Sequence, residues 1–200
     1  MPDRPVGRGQ KMASPAIAKC CQDKKINFYQ TSNVNTDEEL MKRIKSSEID
    51  IVIVFAFSQF LSNDFLKLPK IGCFNIHTSL LPKYRGSSPI QYALLNGDKL
   101  TGVSLQKMVK KMDAGDIVKS LEVEVYDYDD LSSLSSKLKS KSAELIHQFI
   151  DDLYHNNLTY SPQDPSGVSF APLIKKEDGL LDFFNDDAKT LVNKARAFHP

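Results

Sequence analysis

Residues 74–77 read FNIH, and their order separates two jobs. On a strand, side chains two apart share a face. Phe74 and Ile76 can enter a core, while Asn75 and His77 then share the opposite face. Further on, MDAGD places Asp113 and Asp116 in a tight turn between two apolar stretches. A carboxylate beside an imidazole favours the protonated ring. An imidazolium and an amide NH₂ together can stabilise a developing oxyanion. No serine or cysteine has an evident base beside it, and there is neither a Gly-rich phosphate loop nor a metal-spaced histidine cluster. The set suits acyl-type transfer in which the substrate brings its own nucleophile. A metal-dependent hydrolase using His77 and Asp113 would lack ligands. The plainer alternatives are a structural histidine at a strand end and a turn asparagine.

The elements that must position these groups follow from pattern. The continuous apolar run 49–57, IDIVIVFAF, reads as a parallel strand buried on both faces. IGCFNIH is the next strand, and its carboxyl end is where open α/β sheets bind ligands. The loop TSLLP beyond it offers an apolar wall and backbone amides. Pro89 opens a helix that Gly97 ends. TGVSLQKMV and IVKSLEVEV alternate and read as an antiparallel pair around KKMDAGD. Residues 130–155 form an amphipathic helix with Leu131, Leu134, Leu138, Leu145, Ile146, Phe149 and Leu153 inward. A last helix covers about 186–198.

Residues 1–13 are rich in Pro, Gly and Arg and read as loop. Ser14 and Pro15 read as an N-cap and first helical residue, INFY (26–29) as a short strand, and Thr36 with Glu39 as a capping box. The fold class is therefore α/β, a Rossmann-like doubly wound sheet, mostly parallel with an antiparallel part.

The composition, 41% hydrophobic and 26% charged over 200 residues, is that of a globular protein with room for one such domain. No apolar run approaches the roughly 20 residues that cross a bilayer, and the first residues are no secretory signal. Neither membrane nor DNA is an expected partner. Cys20, Cys21 and Cys73 fit neither a disulfide framework nor a zinc site. The net charge of +1 is unevenly spread. Residues 1–25 carry six basic groups against Asp3 and Asp23, a net +4, and residues 151–187 carry a net −6. The first end is the one suited to a polyanion.

The stretches FNIHTSLLPKYRGSSPIQYALLNGD, TGVSLQKM and MDAGDIV, in that order and spacing, resemble the folate-dependent formyltransferases. PDRPVGRGQKMASP, FAPLIKKEDGLLDF and NKARAFHP are similar to the members of that family that act on methionyl-tRNA. The resemblance implies a catalytic trio of Asn75, His77 and Asp113 and a folate-contacting loop of Ser79, Leu80, Leu81 and Pro82. It places Arg8, with Arg4 and Lys11, against the end of the initiator tRNA. The implied formyl donor is 10-formyltetrahydrofolate, the implied acceptor is the α-amino group of methionyl-tRNA, and no metal is implied. The compartment would be the cytoplasm, or an organellar matrix. Residues 1–184 would form the catalytic domain and 185–200 a helix leading to a linker. In AFSQFLS (56–62), Phe57 and Ser58 depart from the family pattern. The family's first strands would precede PDRP and a further domain would follow RAFHP, so the chain is expected to be a fragment. The alternatives are a formyltransferase for a small amine such as a sugar nucleotide, and an inactive folate- or RNA-binding remnant.

Overall fold

The computed structural model describes residues 2–7 and 9–199. Its first strands lie where the composition suggests loop. β1 (Arg4–Val6) and β2 (Lys11–Ala13) pair antiparallel, Arg4 opposite Ala13. Three-residue strands are too short to show alternation, so nothing in the sequence marks them. Helix α1 (Ala16–Asp23) follows, with Pro15 rather than Ser14 at its N-cap. The Ser14 hydroxyl donates instead to Asp3 Oδ2 at 2.9 Å, which ties the hairpin to the helix. INFY is not a strand. No strand among the described residues lies beside it, and Ile26, Phe28 and Tyr29 stay exposed.

Helix α2 (Glu38–Ser46) is capped one residue later than the Thr36 reading. Asp37 accepts the Leu40 N–H at 2.9 Å. Aspartate is at least as good an N-cap as threonine, and here it sits at the right offset.

A four-stranded sheet then forms in chain order. β3 (Ile51–Phe55) leads to the short helix α3 (Asn63–Leu66), then β4 (Gly72–His77) and α4 (Pro89–Leu95). β5 (Leu100–Lys107) and β6 (Ile117–Glu124) complete it. β3 and β4 are parallel, and the β4–β5 and β5–β6 pairs are antiparallel. The α/β fold with parallel and antiparallel parts is as expected, but the parallel share is smaller: among the described residues it is the β3–β4 pair. β3 also differs from the doubly buried strand of the sequence reading. It is the sheet edge, with Ile53 37% and Phe55 43% exposed.

Both faces of the sheet carry helices. Phe74 and Ile76 point to one side, with Val103 and Leu105, and meet the long helix α5 (Leu131–Tyr154) through Leu134, Leu138, Leu145 and Phe149. The Phe74 and Phe149 rings lie 4.8 Å apart, both fully buried. Each such ring contributes about 1.5–3 kcal/mol of burial. Cys73 and Val54 point to the other side, against Phe65 of α3 and Leu40, Met41 and Ile44 of α2. Burial pushes the Cys73 thiol up to about 11, so it is inert filler. Helix α6 (Ala188–Phe198) closes the first layer through Ala197. Gly97, at φ +65°, ends α4 and leaves room for Asn193 of α6, whose amide donates to Leu95 O at 3.2 Å.

Between α5 and α6 the chain is mostly irregular, with 3₁₀ turns at Pro165–Gly167 and Lys176–Gly179. It is held as a strap. Ser161 bridges Ile117, the first residue of β6, and Phe170 bridges Arg85 in the loop after β4.

Candidate active site

The β4 pleat sends Asn75 and His77 to the face opposite Phe74 and Ile76. His77 is the last residue of the strand, at the carboxyl end of the parallel pair. Asn75 lies opposite Gln106 of β5, and His77 opposite Ser104. Directly opposed residues of antiparallel strands share a face, so Asn75, His77, Ser104 and Gln106 gather on one face of the sheet, with Ser120 of β6 next to Ser104.

Asp113 reaches this group from the turn between β5 and β6. Its Oδ1 accepts from Gln106 Nε2 at 2.7 Å and, at 3.5 Å, from Asn75 Nδ2. Its Oδ2 accepts the Gly86 N–H at 2.9 Å and lies 3.8 Å from His77 Nδ1. The ring is buried, and its Nε2–H donates to the Tyr84 carbonyl at 2.8 Å, since a carbonyl can only accept. Nδ1 is thus the ring atom that faces the carboxylate. A proton on Nδ1 completes an ion pair with Asp113, whose other carboxylate oxygen accepts from the Asn75 amide. The chemistry available is hydrogen-bond donation to a developing negative oxygen, with a carboxylate beside the donor to receive or return a proton.

The turn carrying Asp113 is closely built. Asp113 sits at φ +48°, in the left-handed region. A Cβ on Gly115 would lie 1.7 Å from Lys107 O, so no side chain fits there. Asp116, also considered from the sequence, does not join the trio. Its carbonyl accepts the Lys107 N–H at 2.9 Å.

The loop Ser79–Pro82 is locked by its own hydrogen bonds. Ser79 is fully buried and its hydroxyl donates to Lys83 O at 2.6 Å. Ser104 Oγ donates to Ser79 O at 2.8 Å and accepts the Leu81 N–H at 3.0 Å. That amide is therefore already engaged. Leu81 is buried, and the Leu81–Pro82 peptide is cis. Leu80 and Pro82 line a hollow of about 340 Å³ with Tyr84, Asp98, Leu100 and Thr101. A wider hollow of about 770 Å³ lies between β6 and α5 and is lined by neither the trio nor this loop. Tyr84 supports the loop from below. Burial first, then Asp98, pushes its phenol up to about 12, and the hydroxyl donates to Asp98 at 2.8 Å.

Arg4 and Lys11 are exposed on the β1–β2 hairpin, while Arg8 lies outside the described residues. Among the described residues no group of three His, Cys, Asp or Glu side chains could hold a metal ion. No helix there is long and apolar enough to cross a membrane.

Three site residues escaped the sequence reading. Gln106 had a signal: Ser104 and Gln106 alternate with Val103 and Leu105 as Asn75 and His77 alternate with Phe74 and Ile76. Arg85 and Gln163 had none of that kind. Gln163 Nε2 donates to Asp113 O at 3.0 Å and Gly115 O at 2.7 Å, and its Oε1 accepts from Arg85 at 3.0 and 2.7 Å. The segment SPQDPSG reads as turn, and only the fold brings it here.

Comparison with known proteins identifies the family. Residues 1–150 match the family described as formyl transferase. The chain is 40% identical over 197 residues to a methionyl-tRNA formyltransferase of Thermotoga maritima, covering 98% of this chain and 62% of the relative. It is 37% identical over 199 residues to the methionyl-tRNA formyltransferase of Listeria monocytogenes, covering 63% of that protein. The chain thus spans a little under two thirds of these relatives. Among solved structures, an N-formyltransferase of Helicobacter canadensis, in complex with folinic acid and dTDP-3-aminofucose, superposes with a TM-score of 0.73 at 20% identity. It covers 98% of this chain and 67% of that one. HypX of Aquifex aeolicus, in complex with tetrahydrofolic acid, gives 0.69 at 19% identity over 81% of this chain and 28% of its own. At those identities the structures speak to the fold, and the family match to the lineage: the chain belongs to the formyl transferase family.

Proposed function

We propose that this chain carries the catalytic residues for moving a formyl group from 10-formyltetrahydrofolate to the α-amino group of initiator methionyl-tRNA. The observation that carries the chemistry is the meeting of Asn75, His77 and Asp113 at the carboxyl end of β4. The 37–40% identity to methionyl-tRNA formyltransferases carries the acceptor. The residues suit such a donor: an apolar loop at Leu80 and Pro82 and two N–H groups beside a carboxylate, while the nearby Ser104 hydroxyl is engaged with Ser79 O and the Leu81 N–H. The folate supplies the formyl group.

Asn75, through its amide N–H, and His77, through Nδ1–H, hold the negative charge that develops on the formyl oxygen. Asp113 keeps the His77 ring oriented, takes up the proton lost by the attacking amine, through water, and returns it to the folate nitrogen as the bond between that nitrogen and the formyl carbon breaks. Ser79, Leu80, Leu81 and Pro82 form the wall against the folate. Arg4, Arg8 and Lys11 contact the tRNA, which makes binding salt-dependent. In this reading residues 1–184 form the catalytic domain, residues 185–200 lead on from it, and the work is done in the cytoplasm or an organellar matrix.

The Helicobacter canadensis enzyme keeps a small amino-sugar acceptor in view as a second reading. Incubating the chain with 10-formyltetrahydrofolate and charged initiator tRNA, and separating formylated from free methionyl-tRNA, tests the proposal. Formylmethionyl-tRNA is the expected product, and its absence at enzyme concentrations near that of the tRNA contradicts it.

A further inference from the structure

We propose that Gln163 is a positioning residue for this reaction, setting the turn that carries Asp113 against the loop that holds His77. The proposal rests on the reading of the site given under Proposed function. Gln163 lies beyond the residues that match the family model. It comes from the strap between α5 and α6, not from the sheet that bears the trio.

Both ends of its amide are engaged. The NH₂ group donates to the carbonyls of Asp113 and Gly115, at 3.0 and 2.7 Å, with Gln106 Oε1 a weaker third acceptor at 3.5 Å. The carbonyl oxygen accepts two N–H groups from Arg85, which is 8% exposed. Arg85 stands between two residues that serve the site directly. Tyr84 O receives the His77 Nε2–H, and the Gly86 N–H holds Asp113 Oδ2. A single planar amide therefore spans the loop that fixes the imidazole and the turn that fixes the carboxylate.

The turn has reason to be held from outside. Asp113 occupies the left-handed region, which is less favourable for a residue with a Cβ than the right-handed one. Gln163 is itself anchored on both sides. Ser161 and Ile117 exchange two backbone hydrogen bonds of 2.9 Å, and Asp164 accepts the Ser166 N–H at 2.9 Å. The distance that Gln163 controls is the 3.8 Å between His77 Nδ1 and Asp113 Oδ2, just beyond a direct hydrogen bond. A displacement of about 1 Å in such a pair costs on the order of 10²-fold in rate.

Two substitutions separate positioning from general support. Gln163→Glu keeps an acceptor for Arg85 but loses both donations to the Asp113 turn, and Gln163→Leu loses both sides. Formyl transfer by the purified chain and the imidazole ¹H–¹⁵N spectrum of His77 are measured for each, with the thermal midpoint as a folding control. We expect kcat to fall ~30- to 100-fold in both variants, with KM for the folate within about threefold. The His77 ring signals should move while those of His147 and His155 stay. If Gln163→Leu does not fold, Gln163→Glu decides alone. A Gln163→Glu protein with wild-type kcat, or with unmoved His77 signals, overturns the proposal. Should the wild-type chain transfer no formyl group, that failure belongs to the reaction assignment. The His77 signals then decide the positioning role by themselves.

Discussion

His77 Nδ1 and Asp113 Oδ2 face each other across 3.8 Å, and the other ring nitrogen is committed to the Tyr84 carbonyl. The imidazole therefore has one orientation and one working nitrogen. The carboxylate is equally constrained, by Gln106, Asn75 and Gly86. The pair is a fixed donor–acceptor couple at the end of a buried strand, and its groups need no reorganisation before they act.

Removing either member should depress turnover rather than binding. His77→Ala and Asp113→Asn are each expected to lower kcat for formyl transfer by about 10²- to 10⁴-fold. Asn75→Ala should lower it by about 10²- to 10³-fold, the cost of one oxyanion donor. KM for the folate should stay within a few-fold. Steady-state kinetics with charged initiator tRNA check this, and a rise in KM at unchanged kcat would reassign the residue to binding.

The turn that delivers Asp113 should be the least tolerant part of the loop. A methyl group on Gly115 would meet the Lys107 carbonyl at 1.7 Å, so the backbone must move. Gly115→Ala is expected to cost about 1–3 kcal/mol of stability, as other overpacking does, and to reduce kcat as well. Urea unfolding and the transfer assay measure the two effects separately.

How far the sequence revealed this site depends on the kind of contact. Asn75 and His77 were legible because a strand's period of two sorts them from Phe74 and Ile76. The α5 core residues were legible from helical spacing. Gln163 was not, because its role exists only after the strap folds back over the Asp113 turn. The hairpin at Arg4–Val6 and Lys11–Ala13 was too short to leave a periodic trace. INFY and the apolar run around Ile53 misled for a shared reason. Side-chain type favours a strand or its burial, but neighbouring elements decide both.

Acid should loosen the joint between β6 and α5 before it reaches the core. Asp129 is fully buried. Burial alone would raise its carboxyl, but Lys137, the Tyr126 N–H and the Ser133 hydroxyl outweigh that and hold it below its ordinary 3.8. A carboxyl depressed by folding contributes stability that is complete above its unfolded value and lost as pH falls through the folded one. Stability should therefore decline as pH drops below about 4. In Asp129→Asn that part of the decline should be missing. Thermal midpoints of both proteins between pH 6 and pH 2.5, ~0.5 apart, give the comparison.

The strand bearing Asn75 and His77 rests on the Phe74–Phe149 contact, so α5 supports the site from beneath. Phe149→Ala removes a fully buried ring and should cost about 3–5 kcal/mol. Chemical denaturation followed by circular dichroism measures the loss. A cost under about 1 kcal/mol would mean that the cavity collapses and α5 is not the anchor described.

The most direct test of the central claim is a competition for the formyl group. Charged initiator methionyl-tRNA and a nucleotide-linked amino sugar are offered together to the chain with 10-formyltetrahydrofolate, and both products are quantified. Formylmethionyl-tRNA is the expected dominant product, lost on His77→Ala. Formylation of the amino sugar in preference to the tRNA, or tRNA formylation that survives His77→Ala at the wild-type rate, would contradict that claim.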